Sequence, residues 1–135
     1  MSYLILWYGL LQAAHIVVLL VGGYHYIQTG FVGFPAPGPP EGWSTQAVPF
    51  LIGMASFDLL IAIASLVFVY RFFVRKELIK RLGIVVLTSA SVSALLFGIG
   101  TLPSGAWRTH PATYFSMTVL FIPVFILWFL TIKKS

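Results

Sequence analysis

The sequence predicts an all-α integral membrane protein, an antiparallel bundle of four transmembrane helices forming one domain over residues 1–135. Three observations carry this reading. First, the chain is 59% hydrophobic and only 8% charged, with a mean hydropathy of +0.99. A soluble domain is about 45–50% apolar and about 25% charged, so an ordinary water-soluble domain, a disordered tail and a coiled coil are excluded. Second, four stretches reach the length of about 20 mostly apolar residues that a bilayer crossing needs. Third, seven of the eight Lys and Arg residues sit in two short clusters beside those stretches. That placement makes the net charge of +5 a signal of membrane orientation and not of nucleic-acid binding.

The first span is expected over about residues 3–26. It has no basic leader and is longer than a signal-peptide core, so it reads as a mature helix. Position 2 is Ser and the chain has no Cys, so no lipidation motif is visible and disulfides and thiolate sites are excluded. The second span runs over about 47–73, with Ser44 or Thr45 as its cap and Pro49 tolerated in its first turn. The third covers about 81–101. The fourth covers about 111–132, with Pro111 in the first turn and Thr109 or His110 as cap. Pro123 lies inside it and should kink it, freeing a carbonyl near Val119. No span carries a broad polar face, which excludes a soluble helical protein.

Arg71, Arg75, Lys76, Lys80 and Arg81 flank the short connection 74–80, and Lys133 and Lys134 follow the fourth span. Arg108 alone lies on the other side. The positive-inside rule then puts both termini in the cytoplasm and the loops 27–46 and 102–110 outside. Trp7 and Trp128 are expected at the inner interface, Trp43 and Trp107 at the outer one, because amphipathic rings prefer headgroup level. The loop 27–46 is the unusual segment. Pro35, Pro37, Pro39 and Pro40 forbid a helix, yet Phe31, Phe34 and Trp43 are more apolar than a solvated linker needs. It should fold over the outer end of the bundle or meet a partner.

Two ionisable residues sit deep in the spans, His15 and Asp58. Such residues face a bundle interior and have partners. His15 lies twelve residues past Tyr3, roughly 18 Å at 1.5 Å per residue, and Asp58 lies thirteen residues before Arg71, roughly 20 Å from the same side. A His15–Asp58 hydrogen bond or ion pair is therefore expected. Gln12, Ser91, Ser93 and Thr118 reach similar levels and complete a mid-depth polar core. The competing reading is that hydroxyls and carboxamides simply join helices or bond their own backbone.

His25 and His110 fall together at the outer interface, near Arg108, Trp43 and Trp107. Two imidazoles at one level could hold a metal or a haem, but no acidic cluster accompanies them and interfacial, solvated histidines are the simpler reading. The sequence requires no cofactor. No HExxH, GxSxG or phosphate loop is present.

The expected function is a non-catalytic accessory subunit of a larger membrane complex, or a module that binds an apolar ligand. The expected partners are the lipid bilayer and other membrane subunits, or further copies of the chain. The alternatives are a small proton-coupled transporter, or a membrane enzyme on a lipid-like substrate, using Asp58 and His15. A b-type haem protein using His25 and His110 is a lesser alternative.

Overall fold

Apolar runs bounded by Gly, Pro and charge set the helices of the computed structural model, which describes residues 1–134. Helix α1 spans Ser2–Thr29 and ends at Gly30, whose left-handed φ of 73° turns its N–H onto the Tyr26 carbonyl at 2.7 Å. Nothing earlier in the run can stop the helix, so it extends a few residues past position 26. Helix α2 spans Ala47–Phe73 and α3 spans Lys80–Thr101. The segment 102–110, expected as a loop, is instead a 3₁₀ turn over Leu102–Ser104 and a one-turn α4 over Ala106–Thr109. Gly105, at φ 86°, joins them in a conformation that suits glycine. Helix α5 spans Pro111–Lys133. Among the described residues there is no strand.

The four long helices α1, α2, α3 and α5 are each long and apolar enough to cross a membrane. They pack in a closed order: α1 on α2, α2 on α3, α3 on α5 and α5 on α1. Helix α3 is the most enclosed, while α1, α2 and α5 turn many large apolar side chains outward. Glycines set two close approaches. A Cβ at Gly9 would meet Val69 at 2.8 Å, and one at Gly83 would meet the Phe68 ring at 2.8 Å. The buried apolar core gathers Ile5, Ile61, Phe68, Val86, Leu87, Val124 and Leu127 around the Tyr8 ring. Most of these lie in the half of the molecule that ends in the Lys and Arg clusters, called here the basic end.

Caps and kinks differ in detail from expectation. Ser44 does act at the start of α2, its Oγ accepting the Ala47 N–H at 3.2 Å, but the residue preceding the helix is Gln46. His110 precedes α5 through its backbone alone, with no side-chain capping bond. Pro123 lies inside α5, which runs unbroken over Pro111–Lys133, and the nearby carbonyl that takes a side-chain partner is that of Leu120, one residue beyond Val119. The Trp7 indole donates to it at 3.0 Å, which ties α1 to α5.

All four indole N–H groups are donated within the protein. Besides Trp7, Trp128 donates to Thr88 Oγ1 at 2.9 Å, Trp43 to the Ala36 carbonyl at 2.8 Å and Trp107 to Thr101 Oγ1 at 2.9 Å.

The proline segment folds back over the helix ends. The Tyr114 hydroxyl donates to the Pro37 carbonyl at 2.7 Å, and Ala36 and Pro39 are buried. Gly22 of α1 faces the Phe34 carbonyl so closely that a Cβ there would collide with it. Trp107 stacks on the Tyr114 ring with centroids 5.1 Å apart, which braces the hydroxyl that holds the loop.

Candidate functional site

The interior polar groups form layers, and the helical repeat explains their positions. Tyr8 on α1, Ser65 on α2 and Val86 on α3 meet in one layer. The Tyr8 and Ser65 hydroxyls are 2.6 Å apart. Ser65 donates its own proton to the Ile61 carbonyl at 2.6 Å. Having one proton only, it must accept from Tyr8, whose hydroxyl also lies 3.3 Å from the Val86 carbonyl. Seven residues along each of these three helices stand His15, Asp58 and Ser93. Seven residues make about two turns, so the second layer lies over the first on the same helix faces, about 10 Å away.

In this second layer the Ser93 Oγ–H donates to Asp58 Oδ1. Ser93 is 2% exposed, whereas Asp58 and His15 are half-buried. The expected His15–Asp58 hydrogen bond or ion pair is not formed. The two side chains are near enough for a direct electrostatic interaction, but among the described residues no hydrogen bond or ion pair joins them. Ser93 wins the carboxylate because its short side chain projects from α3 directly at Asp58, and α2 and α3 are adjacent packed helices.

Gln12 lies one turn from Tyr8 and just short of His15, between the two layers. It is 2% exposed, and its Oε1 has no hydrogen-bond partner. The neighbouring faces of α2 and α3 at this level carry Ala62 and Ala90, both buried and neither able to donate. A buried carboxamide oxygen without a partner costs about 1–3 kcal/mol.

The remaining candidates separate from this site. Thr118 is exposed and donates to the Tyr114 carbonyl of its own helix at 3.0 Å, so it is not part of the mid-depth core. Ser91 is fully buried with an unpartnered Oγ. Two residues from Ser93, it points to nearly the opposite side of α3, since each residue turns about 100°. It shares the side of Thr88, which faces α5 through Trp128. His25 is exposed beside Gly33 of the folded loop, with Nε2 3.9 Å from where a Gly33 Cβ would sit. His110 is half-buried and Arg108 exposed. Among the described residues no group of three His, Cys, Asp or Glu side chains could hold a metal ion. Trp43 and Trp107 serve the folded loop and its brace, through the indole bonds already described.

Tyr8 and Ser65 are the interior pair that sequence reasoning did not join. The signal that finds them is the seven-residue spacing from His15 and Asp58, which repeats the same two faces. A third step of seven reaches Gly22, Leu51 and Gly100. Two of these three have no side chain. Gly22 faces the Phe34 carbonyl and Gly100 faces the Phe50 ring at 2.5 Å from a hypothetical Cβ. Compared with known protein families, curated proteins and solved structures, the chain matches none.

Proposed function

We propose that the chain is a multi-pass integral membrane protein in which α1, α2, α3 and α5 cross the bilayer as an antiparallel bundle, with both termini in the cytoplasm. Its proposed role is that of a non-catalytic component of a larger membrane assembly. The observation that carries this is the distribution of apolar surface. Four helices of sufficient length expose large side chains such as Leu10, Val17, Leu60, Ile99, Phe115 and Phe129, while little of the chain lies outside them. In water such a surface would drive aggregation, whereas in lipid it is the solvent-facing side. The Lys and Arg clusters supply the orientation.

The assembly part of the proposal draws on α5. An open, mostly apolar groove along its outer side is lined by Ala112, Phe115, Ser116, Val119 and Leu120. Ala112 and Ser116 stand four residues apart, the spacing of small residues that lets a second helix approach closely in lipid. A photo-reactive amino acid at Phe115, followed by purification in a gentle detergent, tests this directly. One stoichiometric cross-linked membrane protein, or a second copy of the chain, is the expected product. A preparation that stays monomeric and uncross-linked in its native membrane defeats the assembly reading.

A further inference from the structure

At the basic end the cations occupy helix faces that orientation alone does not require. The positive-inside rule counts Lys and Arg near the ends of spans and is indifferent to the face they stand on. Here three of them extend the outward stripes of their helices. Arg71 stands four and eleven residues past Val67 and Leu60 of α2. Arg81 stands four, eleven and eighteen residues before Val85, Val92 and Ile99 of α3. Lys133 stands four, seven and eighteen residues past Phe129, Ile126 and Phe115 of α5. Steps of four, seven, eleven and eighteen return to one face of an α-helix. The apolar members of these stripes are exposed, from 43% at Val92 to 70% at Ile99. Each exposed apolar stripe therefore ends in a positive charge. Helix stability does not account for all of these charges. Cations suit the C-terminal ends of α2 and α5, but Lys80 and Arg81 open α3, where the helix dipole opposes them and no acidic residue stands in the first turn. The turn between α2 and α3 is closed by the Glu77 N–H on the Arg71 carbonyl at 3.1 Å, and within it Lys76 takes a left-handed φ of 55° that suits glycine better. The seven cations of this end are all exposed, and among the described residues none of them forms an ion pair, with Glu77 or any other carboxylate.

We propose that the outward faces of α2 and α3 bind an anionic phospholipid at the basic end. An acyl chain lies along the stripe that ends at Arg71 or Arg81, and Arg71, Arg75, Lys76 and Arg81 hold the headgroup phosphate. A guanidinium at the end of an apolar stripe matches a lipid in both its parts, charge at one end and hydrocarbon along the side. A soluble phosphate compound meets only the first part of that match. Arginine suits the task because its planar fork donates two parallel N–H bonds to one phosphate. Five cations within residues 71–81 reach the density at which a segment beside a membrane span recognises anionic headgroups. Lys133 repeats the pattern on α5, which packs on α3, and supplies a second contact of the same kind.

The lipid site rests on the membrane reading above, and the two are tested apart. The chain has no Cys, so Glu41→Cys and Lys134→Cys report the crossing pattern without background. In sealed vesicles of known orientation a membrane-impermeant thiol reagent should reach them from opposite sides. Labelling of both from one side defeats the membrane reading, and the lipid-facing stripes with it. The lipid site is then tested by native mass spectrometry of the full chain, released from detergent micelles that hold dioleoyl phosphatidylglycerol and dioleoyl phosphatidylcholine in equal amounts. Several-fold preferential retention of phosphatidylglycerol is expected. Arg71→Gln combined with Arg81→Gln should abolish the preference, and Arg108→Gln, at the opposite end, should leave it intact. Lys76→Gly should reduce the preference without lowering the unfolding midpoint, because glycine takes the left-handed turn more readily, so that loss is one of charge and not of folding. Glycerol 1-phosphate at the concentration of the lipid should displace none of it. Equal retention of the two lipids overturns the proposal even where the crossing pattern stands. So does a preference that survives the double Arg71→Gln and Arg81→Gln variant, or one that Arg108→Gln lowers as much. Displacement by glycerol 1-phosphate assigns the cations to a soluble phosphate compound and overturns the lipid.

Discussion

At the scale of single residues, the interior is organised by which polar atoms find partners. Tyr8 donates to Ser65 because the serine's one proton is already committed to Ile61. Tyr8→Phe keeps the ring in the core and removes the hydroxyl with its bond to Ser65 and its weaker one to the Val86 carbonyl. It should lower stability by about 1 kcal/mol, the ordinary net value of one hydrogen bond, read as a small drop in the unfolding midpoint in detergent. Ser65→Ala in the same background should add little, because the bond is already gone, and a full double-mutant cycle measures that coupling. Gln12 is the opposite case. Its Oε1 is buried among apolar neighbours with no protein partner, so Gln12→Leu should leave stability unchanged or raise it by about 1 kcal/mol. A marked loss of stability would mean that the carboxamide is satisfied in the native membrane by something it holds there firmly.

At the scale of elements, small residues and prolines decide how helices meet. Gly83→Ala places a methyl group against the Phe68 ring, which is 1% exposed and has little room to retreat. Overpacking of this kind costs about 1–3 kcal/mol, and a lower thermal midpoint with unchanged helix content is the expected result. Pro123 acts through the backbone. Pro123→Ala restores an N–H to α5 that can bond the Val119 carbonyl, and should shift the adjacent turn whose Leu120 carbonyl accepts from Trp7. Trp7 emission, isolated by replacing the other three tryptophans with Phe, should then shift. An unshifted spectrum would show that the Trp7 bond does not depend on the proline. For the folded loop, Tyr114→Phe deletes the bond to Pro37 and keeps the stack on Trp107. Faster proteolytic cutting within residues 30–46 is expected, with the helices protected as before.

At the scale of the whole molecule, the arrangement is a basic, tightly packed end and an opposite end finished by a proline-rich cover. The core cluster occupies the first of these and the half-depth polar layer sits above it. Weakening the packed end and weakening the cover should therefore have different effects. Ile5→Ala creates a cavity in the core and should cost about 2–5 kcal/mol. Loosening the cover should cost far less, because it removes one hydrogen bond and leaves the core packed. Comparing the unfolding midpoints of Ile5→Ala and Tyr114→Phe checks this, with the larger fall expected for Ile5→Ala.

The sequence by itself determined that the chain is helical and how many long apolar helices it contains. Both follow from local properties: the length of each apolar run, the glycine or proline that ends it, and the scarcity of charge. Depth arithmetic along the helices also brought His15, Asp58 and Ser93 to one level, because rise per residue is constant. Only the tertiary structure decided who bonds whom within that level. Partner choice depends on which helices are neighbours and how each is rotated, and here α3 turns Ser93 onto Asp58 while His15 stays within electrostatic reach and unbonded. The same rotation turns Ser91 away from Asp58, and Thr118 lies outside because its face of α5 looks outward. The folded loop was legible as a non-helical, apolar segment, but its hold on Tyr114 joins residues 77 apart in the chain. No local pattern encodes a contact of that separation, since it exists only once α1, α3 and α5 have been packed together.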